Sequence, residues 1–247
     1  MDKNKTNQTT GTLYGIGVGP GDPELMTLKS VNILKHVDIV FAAASAKNDY
    51  SLAVRIARPH IPETTQVKML PFPMTKDENE TRKAWLENAK AIIHDLEQGK
   101  DAAFVTLGDS LTYSTFGYIL KNIKNLAPKI HIESIPGITS YQAAASRVNL
   151  PLVEGEETLM IMSGVNGGGC LRNFNQKPEN IVFLKAYKNI DDIVDSIKES
   201  DFIQKSVGIT SCGLPEEKIV TDINEFSTMP PDYWTLIIAK QNKNGSQ

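Results

Sequence analysis

Leu13-Tyr-Gly-Ile-Gly-Val-Gly-Pro-Gly-Asp-Pro-Glu-Leu-Met-Thr-Leu-Lys-Ser-Val-Asn-Ile-Leu34 is the stretch whose reading decides the fold. It opens with a short apolar run, Thr12 to Val18, and passes through Gly15, Gly17, Gly19 and Gly21 at alternate positions. In an extended segment alternate residues share a face. One face of this strand therefore carries no side chains, and either a ligand or another stretch of backbone can come close. Asp22 and Pro23 then give a helix start signal, a capping carboxylate followed by proline in the first turn. Leu25, Leu28, Val31 and Leu34 continue it at helical spacing. The glycine run is not a G-x-G-x-x-G dinucleotide fingerprint, because the sixth position counted from Gly15 or Gly17 is Pro20 or Asp22. It also lacks the G-K-[ST] of a phosphate-binding loop. Pro20 removes an amide donor and Asp22 repels phosphate, so a ligand with a positive centre suits the loop better.

Outward from this stretch, strand and helix patterns alternate. Strands are expected at Asp38–Ala44, Val67–Leu70, Ala102–Leu107 and Ile130–Ile135. A long helix is expected from Glu80 to Gln98, with Trp85, Ala89, Ile92, Ile93 and Leu96 on one stripe and His94 off it. A further helix runs to about Lys124. This alternation predicts a mainly parallel sheet covered by helices. Beyond the hinge at Ser134-Ile-Pro-Gly137, a helix is expected at Thr139–Val148. Strands are expected at Thr158–Met162, Asn180–Leu184, Ser206–Thr210 and Thr235–Ala239, with helices at Ile190–Lys198 and near Cys170–Asn175. The expected division is a tail at 1–10, an α/β domain at 11–134, a second α/β domain with a mixed sheet at 135–241, and a tail at 242–247. The loop Asn166-Gly-Gly-Gly-Cys170 is expected to be mobile.

Bulk properties narrow the function classes. The 247 residues carry a net charge of −3, and the pI is about 5.9. That balance argues against a nucleic-acid partner, which needs a basic face. No apolar stretch approaches the roughly 20 residues of a membrane span, and the first ten residues lack the apolar core of a signal peptide. The cytoplasm is the expected location. The two cysteines and four histidines are scattered without ligand spacing, so no metal site is expected.

Two more motifs sit where ligands of α/β sheets bind, beyond the carboxyl ends of strands. Leu107-Gly-Asp-Ser-Leu-Thr-Tyr113 follows one strand. Ile135-Pro-Gly-Ile-Thr-Ser140 opens a helix, with Thr139 or Ser140 as its natural cap. Each motif has a purely structural reading, as turn or cap. Taken in order, the opening LYGIGVGPGDPELMTLKSVNIL, the TLGDS loop and the IPGITSYQAAA helix start resemble the tetrapyrrole methylase family, from Thr12 to about Lys240.

The resemblance implies the class III methyltransferase fold, two α/β domains with S-adenosyl-L-methionine in the cleft between them. It implies methyl transfer to a tetrapyrrole and release of S-adenosyl-L-homocysteine. It further implies a homodimer. The stretch Gly108 to Tyr118 is similar to the branch that methylates C-20 of precorrin-2 or cobalt-factor II, and its wording is closer to the cobalt side. Many relatives have proline where Ser110 stands, a change expected to cost loop rigidity. By resemblance the cofactor contacts are Pro20, Leu107, Gly108, Asp109, Thr112, Thr139, Ser140, Leu184, Gly213 and Leu236. For Leu184 and Leu236 a plain core role is an equal alternative. By position, Asp109 and Tyr113 are the candidate catalytic residues, as acceptors of the proton lost from the methylated carbon, with a ring nitrogen of the substrate or water as alternatives. Arg55, Arg82, Arg147 and Lys185 are possible partners of the substrate carboxylates. Three other readings stay open: a tetrapyrrole methyltransferase acting at another ring position, a non-catalytic protein binding tetrapyrrole or S-adenosylmethionine, and a dinucleotide-dependent oxidoreductase.

Overall fold

The computed structural model describes residues 10–44, 51–202 and 205–241. The two expected tails fall outside these, apart from Thr10. The chain divides into two compact units, one through Thr139 and one from Ser140 onward. The division falls after Thr139 rather than after Ser134. The reason is local: the Ile135–Thr139 segment is bonded to the loop after the fourth strand, as set out below.

The first unit is built on a five-stranded sheet. Its elements in chain order are β1 (Leu13–Gly17), α1 (Leu28–Leu34), β2 (Ile39–Ala44), α2 (Leu52–Ala57), β3 (Gln66–Pro71), α3 (Glu78–Glu97), β4 (Ala102–Thr106), α4 (Phe116–Leu126) and β5 (Ile132–Ile135). The strand order is β3-β2-β4-β1-β5 and every pairing is parallel. β1 thus lies between β4 and β5, with Gly17 opposite Thr106 and Ile16 opposite Ile135. Strands buried on both faces read as continuous apolar runs, and all of Ala102–Thr106 is buried. Phe41, Phe104, Phe116, Ile92 and Leu96 fill the core against α3 and α4.

Two details of this unit depart from the sequence reading. The helix expected after Asp22 forms in two pieces. Asp22 accepts from the Glu24 amide at 2.9 Å, but only over a short turn, Pro23–Leu25. Thr27 then starts α1 afresh by accepting from the Ser30 amide at 3.2 Å. Two competing caps six residues or fewer apart split the run, and Leu28, counted on the apolar stripe, stands 84% exposed. The six-residue helix α2 has no counterpart in the sequence reading. In α3 the stripe also buries Asp95, which holds Lys68 at 2.6 Å and Lys100 at 3.3 Å.

The second unit contains α5 (Ser140–Arg147), β6 (Leu159–Ser163), α6 (Gly169–Arg172), β7 (Asn180–Leu184), α7 (Ile190–Glu199), β8 (Lys205–Thr210), β9 (Lys218–Val220) and β10 (Leu236–Lys240). Its sheet runs β6-β7-β10-β8-β9. β6 and β7 are parallel, and the other neighbours are antiparallel. Leu171, Phe183, Ile193, Ile197, Phe202, Phe226 and Ile237 form its core. The glycine loop before α6 is anchored, contrary to the mobility expected of it. Asp192 of α7 accepts from the Gly168 amide at 2.7 Å and pairs with Arg172 at 2.7 Å.

Candidate active site

The three motifs singled out in the sequence come together at the carboxyl ends of β4, β1 and β5. The residues just past β1 pair with the loop after β4: Gly19 donates to the Gly108 carbonyl at 3.1 Å, and Gly108 donates back at 2.8 Å. Both glycines are left-handed, with φ of +79° and +70°, a conformation that costs an L side chain energy. Gly17 and Gly137 lie so close that a Cβ on Gly137 would sit 2.2 Å from the Gly108 carbonyl oxygen and 2.8 Å from Gly17. At Gly17 the bare face of the first strand is therefore covered by the protein's own backbone. At Gly15 the space is taken by the Phe116 ring.

Asp109 is the clasp of this arrangement. Its Oδ1 accepts from the Leu111 amide (2.9 Å), the Thr112 amide (3.0 Å) and the Thr112 hydroxyl (3.0 Å). Its Oδ2 accepts from the Gly137 amide at 3.1 Å. Burial pushes this carboxyl up, but the hydrogen bonds from Leu111, Gly137 and Thr112 outweigh it and hold it below the usual carboxylate range. An anion with both oxygens in use and a depressed pKa is a poor proton acceptor at neutral pH. Its geometry is that of a group that fixes one loop to the next. Ser110 strengthens the same seam: buried, it donates from Oγ to the Ile135 carbonyl at 3.1 Å. The loss of rigidity expected from serine at this position is thereby offset, because a proline could not make this bond. The sequence motifs do not single out Ser110 or Gly137 as site residues. Only the IPG turn hinted at Gly137.

The other expected residues of the first unit are distributed as follows. Pro20 is buried and Leu107 half-buried. A Cβ on Gly108 would meet only the Ile138 carbonyl oxygen, at 4.0 Å, so space remains beside this backbone. Thr139 is buried directly before α5, and Ser140 is that helix's first residue. Tyr113 is 52% exposed and has φ of +49°. A left-handed tyrosine costs on the order of 1–3 kcal/mol and marks a position set by its surroundings.

In the second unit three expected positions lie at one end of the sheet, where β7 and β8 finish and β10 begins. Leu184 at the end of β7 pairs in register with Leu236 at the start of β10, and Leu236 lies beside Ile209 of β8. Leu236 is only 2% exposed, so it supports this end from within, whereas Leu184 is half-buried. Gly213, with φ of +77°, follows β8 at this end, and its amide donates to Glu217 at 2.6 Å. Lys185 and Ser211 here are also left-handed, with φ of 58° and 50°. Burial pushes the Lys185 ammonium down from its ordinary value. Of the other cations considered for substrate carboxylates, Arg82 is paired with Glu78 at 2.6 Å and Arg147 with Glu217 at 3.3 Å. Arg55 lies on the exposed side of α2. Among the described residues no cluster of three or more His, Cys, Asp or Glu side chains could hold a metal ion.

A parallel and a mixed α/β unit joined in one chain, with a clasped backbone cradle beyond β1, β4 and β5, define a fold shared with known methyltransferases. The uroporphyrin-III C-methyltransferase of Thermus thermophilus, solved in complex with S-adenosylhomocysteine, superposes with a TM-score of 0.66 at 22% identity, covering 93% of this chain and 97% of that one. The chain belongs to the tetrapyrrole (corrin/porphyrin) methylase family, whose model matches residues 12–226. It is 31% identical to the cobalt-precorrin-2 C(20)-methyltransferase of Salmonella typhimurium, over 94% of this chain and 97% of that protein. It is 33% identical to the probable cobalt-precorrin-2 C(20)-methyltransferase of Methanocaldococcus jannaschii, over 96% of this chain and 99% of that protein.

Proposed function

We propose that this chain methylates C-20 of a cobalt-loaded corrin precursor, cobalt-factor II, using S-adenosyl-L-methionine. The observation that carries the reading is the joining of all three family motifs into one cradle, Gly19 to Gly108 through the backbone and the loop after β4 to the Ile135–Gly137 segment through Ser110 and Asp109. The full-length likeness to relatives named for the cobalt substrate supports it and favours the cobalt form over precorrin-2.

The residues present suit the cofactor. Gly108 leaves room at the backbone, and Leu184 offers an apolar surface fit for adenine. We assign the binding role to Pro20, Leu107, Gly108, Asp109, Thr112, Thr139, Ser140, Leu184, Gly213 and Leu236, with Leu236 acting as support beside Leu184. When bound, the cofactor supplies a methyl group already activated by its sulfonium. The chain's own contribution is then positioning and exclusion of water. Asp109 holds the loop after β4 against the segment leading to α5, so both sides of the cradle keep one geometry. With Asp109 committed to that clasp, Tyr113 is the candidate to relay the proton lost from the methylated carbon, its phenolic oxygen taking up that proton as its own passes to solvent. Tyr113→Phe keeps the ring and the backbone but removes the hydroxyl. It is expected to lower kcat by roughly 10²–10⁴-fold while leaving the cofactor KM in place.

The assembly is proposed to be a homodimer, from the family resemblance, and its location cytoplasmic, as the sequence reading expects. Among the described residues no helix is long and apolar enough to cross a membrane. The test of the function is methyl transfer from labelled S-adenosylmethionine, with cobalt-factor II and precorrin-2 offered in parallel without oxygen. Label at C-20 of the cobalt product supports the reading. Label at another ring position, or cofactor binding with no transfer, replaces it with one of the alternative functions.

A further inference from the structure

We propose that the aromatic corner Tyr187, Tyr233 and Trp234, together with Lys185 and Lys188, is the surface on which the tetrapyrrole macrocycle rests. The inference builds on the tetrapyrrole reading above and adds the part of the chain that receives the ring.

Three observations carry it. The first is exposure combined with order. Tyr233 and Trp234 stand 37% and 41% exposed, unusual for large aromatic side chains in adjacent positions. They are nevertheless firmly held. Asp232 accepts from the Trp234 amide at 2.8 Å and from the Ser211 hydroxyl at 3.1 Å. Its carbonyl accepts from the Thr235 hydroxyl at 2.7 Å, and the Trp234 carbonyl accepts from the Ser211 amide at 3.3 Å. The loop thus keeps two rings in water, at the cost of leaving their apolar area uncovered.

The second is shape. The Tyr233 and Trp234 rings lie at 86° to each other with centroids 4.7 Å apart, and Tyr187 meets Tyr233 at 65° and 5.1 Å. Two perpendicular rings make a floor and a wall. A wide flat ligand can stack on one ring while its rim meets the edge of the other, and both contacts suit the charge distribution of aromatic rings.

The third is charge. Lys188 lies 5.6 Å from the Tyr187 ring centroid, and Lys185 occupies its left-handed position on the same turn after β7. A flat apolar ligand with carboxylates around its rim matches aromatic rings flanked by ammonium groups. A neutral purine would find no partner for the lysines. The corner also adjoins the Leu184–Leu236 end of the sheet, because the Ala186 amide donates to the Thr235 carbonyl at 3.0 Å.

The experiment uses the whole chain saturated with S-adenosylhomocysteine, so that binding is read without turnover. Cobalt-factor II is titrated into the wild type, Trp234→Ala, Trp234→Phe and Lys188→Gln. Affinity for S-adenosylhomocysteine is measured separately for each by calorimetry, and thermal melting confirms folding. Trp234→Ala is expected to weaken tetrapyrrole binding about 10-fold, in keeping with base–aromatic stacking energies. Trp234→Phe should restore most of that loss. Lys188→Gln should weaken binding about 3-fold and flatten its salt dependence. Affinity for S-adenosylhomocysteine should stay within about twofold throughout. Unchanged tetrapyrrole affinity in both Trp234→Ala and Lys188→Gln, in protein that still methylates, would overturn the corner alone. A parallel loss of S-adenosylhomocysteine binding would overturn it in favour of a cofactor role. A wild type that binds no tetrapyrrole would overturn both the corner and the proposed function. If Trp234→Ala does not fold, Trp234→Leu, which also lacks an aromatic ring, takes its place beside Lys188→Gln under the same criteria.

Discussion

Replacing Asp109 by asparagine separates the two roles open to this residue. The amide oxygen can keep the three donors now served by Oδ1, from Leu111 and Thr112. The amide nitrogen must then occupy the place of Oδ2 and face the Gly137 N–H at 3.1 Å, donor against donor. A hydrogen bond to a charged group contributes about 1.5–3 kcal/mol, and since Asp109 is only half-buried the lower end applies, about 1.5 kcal/mol. For a chain of this size each kcal/mol corresponds to a Tm shift of about 2–4 °C, so a drop of about 3–6 °C is expected in a calorimetric scan. The pH dependence follows from the depressed folded-state pKa. Stability from such a carboxylate is complete above its unfolded value, about 3.9, and is lost as pH falls through the lower folded value. The gap between wild type and variant should stay flat from pH 8 to 5 and narrow only below about pH 4. In turnover, the cofactor KM should rise while kcat falls less than about 10-fold. The reasoning fails if kcat collapses by 10²–10⁴-fold with cofactor affinity intact, the signature of a lost general base. It also fails if the stability gap is absent at pH 7.

Other expectations follow from single contacts. Gly15→Ala places a methyl group 2.1 Å from the Phe116 ring and should destabilise by about 1–3 kcal/mol through overpacking, read as a lower urea midpoint. Gly117→Ala, inside α4 with nothing within 4 Å of the new methyl, should stabilise by about 0.4–1 kcal/mol. Opposite outcomes for the two would refute the packing argument. Cys212 is buried, and that burial with the nearby Glu217 pushes its thiol up to about 12. Alkylation at pH 8 should therefore modify exposed Cys170 alone in the native protein and both cysteines after unfolding, as counted by mass spectrometry. Asp192→Ala removes the acceptor of the Gly168 amide and a partner of Arg172. It should make the 166–170 loop cleavable by protease and leave the first unit's melting unchanged.

What the sequence by itself determined is whatever depends on local pattern. The short apolar run from Ala102 was legible as a strand and the period of Ala89, Ile92 and Leu96 as one face of a helix, and the structure adds that the strand is buried along its whole length. Strand and helix alternation then required a parallel sheet. The α2 and β9 segments escaped because six and three residues are too few to show a period. The break at Met26–Thr27 escaped because Asp22 and Thr27 are both good caps, and pattern alone does not choose between them. The site was legible as three motifs with an order, yet each was compatible with an ordinary turn. Their meaning depended on contacts between residues far apart in the chain: Gly19 with Gly108, Asp109 with Gly137, Ser110 with Ile135. Such contacts arise because β4-β1-β5 are neighbours in the sheet, and strand order is set by how the crossovers pack, not by any one segment's propensity. The tertiary structure alone therefore decided that the bare glycine face is covered by protein, that Asp109 bonds the loop after β4 to Gly137, and that Tyr187, Tyr233 and Trp234 share one corner.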